Sequence, residues 1–560
     1  MNPGKLKCAG LLIAASLLIA CSRQKDQAPK THTPTPSLTN TTTTQPTLRM
    51  IPSTTATPIL ITSPTIEPTP TSAFTPSPTE PLLETHGPLL ESLAWGEIEG
   101  VSGYPFMALK GWQMGFRGAD YCLTGPYRWL DEEHLLVFPI TEHLEFEEGI
   151  TADLTQPVVS SLSGEPPWAA GEPSQSCQLP VWSAAAQRVI EVVGEEVRLR
   201  DLEGHLTTRY PGKFPLDLAP SGYRLMAGGT WIDLQSGEVI PVPGWRSGGV
   251  SKIGWTADEQ RVFGCCISYA DLRNGDRWEQ TEFPDFFIAG RGSWPGEQLF
   301  SVSHWIADDT KVIVDPLAIW FFNTKPSSDS VIPIFDPAGH IYVDLLTELD
   351  LGTPSYCSFS LAPDPNLLWL NCLVEGVGQM LPYEEAYRVD LRSLAVVTVT
   401  GQPQLLGWSA VDNYLVYNRS GVSNEVEEKT WIMNGAGEIR PLAHPAATQV
   451  IWHPSQPLGI LTFDDQTELQ IFNARTGEIR TLRMERPILQ AIWQPNDGGF
   501  VMATQDGGLW WLQDAFTNSS EPVPITPPLP EVSSIRWSPG GSRVVFVSEK
   551  ALYVVTIPGE

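Results

Sequence analysis

From about residue 125 to the C-terminus the chain is written in short apolar runs broken by Pro, Gly, Asp and Asn. Runs of that length with turn residues between them predict strands joined by tight turns, not helices. One unit reads most clearly at 535–547, Ile-Arg-Trp-Ser-Pro-Gly-Gly-Ser-Arg-Val-Val-Phe-Val: a strand ending in Trp537, a turn, then a second apolar strand. The same unit starts at Trp129, Trp182, Trp255, Trp305, Trp408, Trp452 and Trp493, and Leu218 and Leu361 hold the slot in two further copies. Two residues after the slot comes Pro or Ala in nine of these ten copies, Asp131 being the exception.

A second unit follows each of the first nine: an apolar strand, Asp or Asn, a turn usually containing Gly, and another strand. Asp233 to Val239 and Asn473 to Ile479 show it best, with others centred on Asp153, Asp201, Asp271, Asp344, Asp390, Asn434 and Asp514. Each repeat is therefore two hairpins, and the slots recur every 36 to 56 residues. Four-stranded units at that spacing predict an all-β fold, a β-propeller of four-stranded blades with about ten motif copies, closed as one large ring or as two smaller rings dividing near residue 300. The last repeat supplies only three strands, so the segment around Phe106–Lys110 is expected to provide the fourth and close the ring. Eight of the 20 tryptophans share the repeated slot, which marks them as packing residues between blades rather than ligand platforms.

The Trp-Ser-Pro-x-Gly turns and the apolar strands after them resemble the TolB-like family of bacterial propeller repeats, relatives of the WD-repeat propellers. The Trp-Asp dipeptide of the eukaryotic repeats is absent. The resemblance covers about residues 125–560 and implies bladed architecture and often a binding role, without a particular ligand.

The N-terminal part is of another kind. Lys5 and Lys7 precede an apolar run, Ala9 to Ala20, that fits a secretory signal and is too short to span a bilayer as a helix. It ends in Leu18-Ile19-Ala20-Cys21, which resembles the lipobox of bacterial lipoproteins. That resemblance implies removal of residues 1–20 and a lipid on Cys21, hence a cell-membrane or outer-membrane, extracytoplasmic location. Residues 21–88 then read as a disordered tether: residues 31–81 hold 18 Thr, 11 Pro and 5 Ser with no apolar period. Such a chain reaches roughly 45 Å as a coil and roughly 200 Å as polyproline II. Residues 89–560 form the propeller.

Composition narrows the function. The 64 acidic residues against 35 Lys and Arg give a formal charge of −29, which excludes a nucleic-acid partner in need of a basic footprint. Of the eight cysteines, Cys357 and Cys372 flank one turn symmetrically and are a candidate disulfide, while Cys122, Cys177, Cys265 and Cys266 have no pairing that spacing decides. No Cys-x-x-Cys and no nearby His pair point to a metal, and no Gly-x-Ser-x-Gly elbow points to a serine hydrolase. Catalytic residues, metal and cofactor are all expected to be none. His304 and His453 read as packing or turn residues, and the acidic run Glu142 to Glu148 as a solvated loop.

Loop length varies mainly between the second and third strands of a repeat. Two long connections, from about Trp278 to Phe300 and from Asp315 to His340, carry aromatic clusters, and Trp294, Trp320, Phe321 and Phe322 are the candidate binding residues. The leading expectation is a lipid-anchored, non-catalytic binding or scaffold module for a protein, peptide or glycan. A propeller enzyme with acids at the ring centre and a structural envelope component are the alternatives.

If Cys21 carries the anchor, Cys21→Ser releases the protein from the membrane fraction on cell fractionation. Full membrane retention of that variant refutes the anchor.

Overall fold

A computed structural model describes residues 93–557, apart from 101–103, 111–126, 139, 146–150, 172–179, 215, 243–253, 265–267, 273–276, 280–302, 307–308, 315–331, 337–340, 352–355, 374, 377–378, 381–384, 420–427, 517–519 and 550. Among the described residues the strands form ten principal sheets, nine of four strands and one of five, together with two separate two-stranded hairpins. The sheets are numbered as blades in chain order: 127–169, 181–211, 216–241, 254–279, 303–344, 356–400, 403–443, 449–483, 488–524 and 533–556. All pairing is antiparallel, and within each four-stranded blade the strands lie side by side in the order of the chain. This repeated arrangement is a β-propeller.

All ten slots fall at the last or last but one position of the first strand of a blade, from Tyr127–Trp129 in blade 1 to Ser533–Trp537 in blade 10. First strands are neighbours between blades 2 and 3, 4 and 5, 7 and 8, 8 and 9, and 9 and 10, which places the first strands toward the centre of the ring. The slot side chain explains why. Each described slot indole sits in an apolar cluster shared with the preceding blade: Trp182 with Leu136 and Val159 of blade 1, Trp255 with Met226 and Trp231 of blade 3, Trp408 with Trp369 and Ala386 of blade 6. Trp452, Trp493 and Trp537 repeat this against blades 7, 8 and 9. The indole N–H of Trp493 donates to the Ile451 carbonyl at 2.9 Å and that of Trp537 to Ile492 at 3.1 Å, both in the first strand of the preceding blade. These tryptophans are packing residues between blades.

Clusters also join blades 2 and 3 and blades 5 and 6, and the backbone N–H of Ala257 in blade 4 donates to Asp309 in blade 5 at 2.6 Å. The circuit closes between the last blade and the first. Trp129 and Tyr127 pack on Val545 and Val547, and the Tyr127 hydroxyl donates to the Val545 carbonyl at 3.1 Å. Ten blades thus make one circuit. The sheet of blade 10 runs Ser533–Trp537, Arg543–Ser548, Ala551–Thr556, then Phe106–Lys110 and Ala94–Ile98. The segment before the first repeat supplies the missing strand, with Phe106 opposite Val555 and Ala108 opposite Tyr553, and adds a fifth. Alternation sends Phe106 into the seam with blade 9 and Leu109 into the seam with blade 1.

The Asp and Asn of the second unit cap the turn between third and fourth strands. Asp233 Oδ1 accepts from the N–H groups of Gln235 (2.9 Å) and Ser236 (2.8 Å), and Asn473 Oδ1 from those of Arg475 (2.9 Å) and Thr476 (3.0 Å). Gly237 and Gly477 follow at φ +78° and +80°, a conformation strained for any residue with a Cβ. Two assignments differ from expectation. Asp153 lies on Thr151–Thr155, one strand of an inserted hairpin, and Asp344 ends the fourth strand of blade 5 and caps the one-turn helix Leu345–Glu348. In both blades an insertion between the second and third strands shifts the later turn away from its usual distance from the slot. The acidic run at Glu142 likewise begins in a strand, Ile140–Glu145, and not in a loop.

Trp537 is 8% exposed and its ring meets Trp511 edge-on at 5.3 Å. Trp537→Ala is expected to cost about 3–5 kcal/mol in denaturant unfolding. A loss below about 1 kcal/mol would contradict the packing role of the slot.

Candidate functional site

In an antiparallel blade with strands a to d counted from the centre, the a–b and c–d turns emerge at one end. The b–c and d–a connections emerge at the other. The two ends differ in chemistry as well as in length.

The a–b turns are short and bound to one another around the ring. Ser183 Oγ donates to the Gly222 carbonyl at 2.6 Å, joining blades 2 and 3. Glu259 accepts from the N–H and hydroxyl of Ser221 at 2.5 and 2.6 Å, joining blades 3 and 4. The N–H of Asp364 donates to Asn413 Oδ1 at 3.2 Å, and Gln494 Nε2 to the Gly541 carbonyl at 2.8 Å. Between blades 10 and 1 the Glu132 carboxylate accepts from the Gly540 N–H and, at 2.5 Å, from the Ser542 hydroxyl. His453 does the same work between blades 8 and 9. It is fully buried, its Nε2 lies 2.8 Å from the Asp497 carbonyl, and its Nδ1 accepts from the N–H groups of Ser455 and Gln456, both at 3.1 Å. Those partners assign the neutral tautomer with the proton on Nε2, and burial holds the imidazole pKa below its ordinary value.

The b–c and d–a end carries the insertions. One hairpin, Ile140–Glu145 with Thr151–Thr155, rises from blade 1, and a second, Glu375–Gly376 with Gln379–Met380, from blade 6. The stretches 280–302 and 315–331 join strand ends on this same side, at blades 4 and 5. Trp294, Trp320, Phe321 and Phe322 belong to these stretches and lie outside the described residues, as do Cys21, Cys122, Cys177, Cys265 and Cys266. Cys357 and Cys372 stand opposite each other on the first two strands of blade 6, joined by a disulfide with Cα atoms 4.1 Å apart. Closing a loop of 15 residues contributes about 3 kcal/mol.

The inner strands add a polar surface that the sequence reading did not single out. Gln404, Gln449, Gln490 and Ser533 occupy the same register level of blades 7 to 10, opposite Asn418, Thr462, Ala503 and Val547, and all four are exposed. Arg128 and Arg536 each stand directly before the slot tryptophan, in blades 1 and 10, and are exposed too. Asp201, Glu203 and His205, whose ligand atoms lie within 4.8 Å of one another, form part of the c–d turn of blade 2. There Asp201 Oδ1 is engaged by the His205 N–H at 2.7 Å.

No family model matches the chain, and no curated protein matches it. Among solved structures the chain is similar to the Dos1 propeller, at 11% identity over 62% of this chain and 92% of that one, with a TM-score of 0.32. It is also similar to a chain of a mitotic checkpoint complex, at 13% identity over 55% of this chain and 90% of that one, with a TM-score of 0.26. A third is the dihydro-heme d1 dehydrogenase NirN in complex with DHE, at 13% identity over 61% of this chain and 74% of that one, with a TM-score of 0.29. Likeness at this level says nothing about activity.

Because the folded pKa of His453 is depressed, its contribution is whole above the unfolded value near 6.5 and is lost as pH falls below it. Between pH 8 and pH 5 the wild type should lose up to about 1.4 kcal/mol of stability per pH unit below 6.5 through this group. Unfolding of His453→Asn across the same range should be correspondingly flatter. Parallel pH profiles for the two proteins would exclude it.

Proposed function

We propose that the protein is a non-catalytic binding scaffold: a lipid-anchored, extracytoplasmic propeller of the bacterial lipoprotein and TolB-like kind, offering its insertion-bearing face to a protein, peptide or glycan. One observation carries this reading. Both inserted hairpins and the two long aromatic-bearing connections leave the blades at the same end, while the turns at the opposite end are bound to one another. A surface under pressure to recognise something varies its loops there and keeps the scaffold constant. The aromatic density of 280–302 and 315–331 supplies the side chains that dominate interface energies. Amides and guanidinium groups on the described inner strands of blades 7 to 10 and 1 favour recognition over the rival acid-pair chemistry at the ring centre.

The lipobox at Cys21 and the Thr/Pro-rich segment support display on a tether outside the cytoplasmic membrane. The formal charge of −29 keeps such a module from adhering to other anionic surfaces.

A Trp294→Ala, Trp320→Ala, Phe322→Ala triple variant is expected to keep its melting temperature and to lose the partners that wild type recovers in pull-downs from envelope extracts. Unfolding of that variant would make these aromatics core. Unchanged recovery from a folded variant would place binding elsewhere.

A further inference from the structure

Each blade ends in an outer strand whose far side pairs with no other described strand. Such an edge is a template for another chain, and proteins guard it with charge, proline or brevity. Nine of the ten edges are guarded in this way. Trp168–Ala169 and Val523–Pro524 are two residues long, and Val239–Pro241 is three and ends in proline. Leu206–Pro211 holds Arg209 and Pro211, Ile439–Ala443 holds Arg440 and Pro441, and Ile479–Arg483 holds two arginines. Arg277–Glu279 is charged at both ends, Ile341–Asp344 ends in an acid, and Ala94–Ile98 carries Glu97. The exception is the outer strand of blade 6, Ala395–Thr400, six residues reading Ala-Val-Val-Thr-Val-Thr. It has no charge and no proline, and five of its six residues are β-branched, the type that suits extended backbone best. It pairs in register with Glu385–Asp390 along its whole length. Val396 turns into the seam with blade 5, and Val397 into the seam with blade 7, which fixes the strand in place. Ala395, Thr398 and Thr400 are exposed.

We infer that the outer strand of blade 6 is a self-association edge, which pairs antiparallel with the same strand of a second copy of this chain. Charge and symmetry name a second copy as the occupant. The chain carries a formal charge of −29, so two copies repel one another over most of their surfaces. At this strand a two-fold pairing opposes only Ala, Val and Thr to one another, and β-branched cross-strand pairs are favourable. A pairing about a two-fold axis also uses the one unguarded edge of each copy and leaves the guarded edges outside, so assembly closes at two chains. An open edge of this composition is an aggregation hazard in a free chain, and closure on a copy removes it. Antiparallel pairing reverses the second strand, so the dimer turns its two insertion-bearing faces to opposite sides. The edge lies on the outer rim, apart from those faces, and self-association stands or falls independently of the proposed binding role.

Sedimentation of the full-length protein in detergent, with the bound detergent subtracted, tests the edge. Two chains per particle are expected for the wild type. Thr398→Lys and Thr398→Glu, at an exposed position, each set like charges against one another across the axis and should weaken association about tenfold. An equimolar mixture of these two variants should recover it, because the lysine of one copy then meets the glutamate of the other. Thr481→Lys, at an exposed position on the outer strand of blade 8, should leave the mass unchanged. One chain per particle for the wild type at every concentration, undiminished association of Thr398→Lys, equal loss in Thr481→Lys, or no recovery in the mixture overturns the inference. A wild type that instead sediments with a different protein, released by Thr398→Lys, assigns the edge to a foreign strand and overturns self-pairing. A melting temperature lowered by both Thr398 variants shows the edge to be covered within the chain and overturns it as well.

Discussion

Among the described residues the sheets carry apolar side chains on both faces, and neither face is covered until a neighbour packs on it. Val544 and Phe546 of one strand in blade 10 face blade 9, while Val545 and Val547 face blade 1. No blade can therefore satisfy itself, and the set is stable only as a closed circuit. The indole in the slot is the device that meets this demand at each seam where it is described: it reaches back to the blade before it, so each blade added covers the one already made. Burying a tryptophan removes one of the largest apolar surfaces available, and at some slots its N–H also finds an inner-strand carbonyl. The sheet of blade 10 takes three strands from the last repeat and the rest from the segment before the first. Phe106–Lys110 completes the sheet and, by alternation, fills both adjoining seams.

Closure at the a–b end has a second layer. Side-chain to backbone bonds run from turn to turn, through Ser183, Glu259, Asp309, Asn413, His453, Gln494 and Glu132. Each fixes the spacing of two neighbouring blades at a cost only of ordering short polar side chains. A turn so engaged cannot lengthen without breaking its bond to the next. The inserted hairpins of blades 1 and 6 lie at the opposite end, away from these bonds. Freedom to vary is thus a consequence of which end of the strands the latches occupy.

Much of this was legible in the sequence because the slot is a packing requirement repeated at every seam. A residue type that fills eight of ten equivalent slots shows itself by recurrence, and the same holds for Asp233 and Asn473, whose carboxylate or amide oxygen caps a turn. The failures lie where the repeat is interrupted. The hairpin inserted in blade 1 moved the c–d turn away from Asp153, and the short helix after blade 5 gave Asp344 a capping role of its own. His453 stood out only as a histidine beside a slot. Nothing local reveals that its two nitrogens answer to Asp497 on one side and to Ser455 and Gln456 on the other.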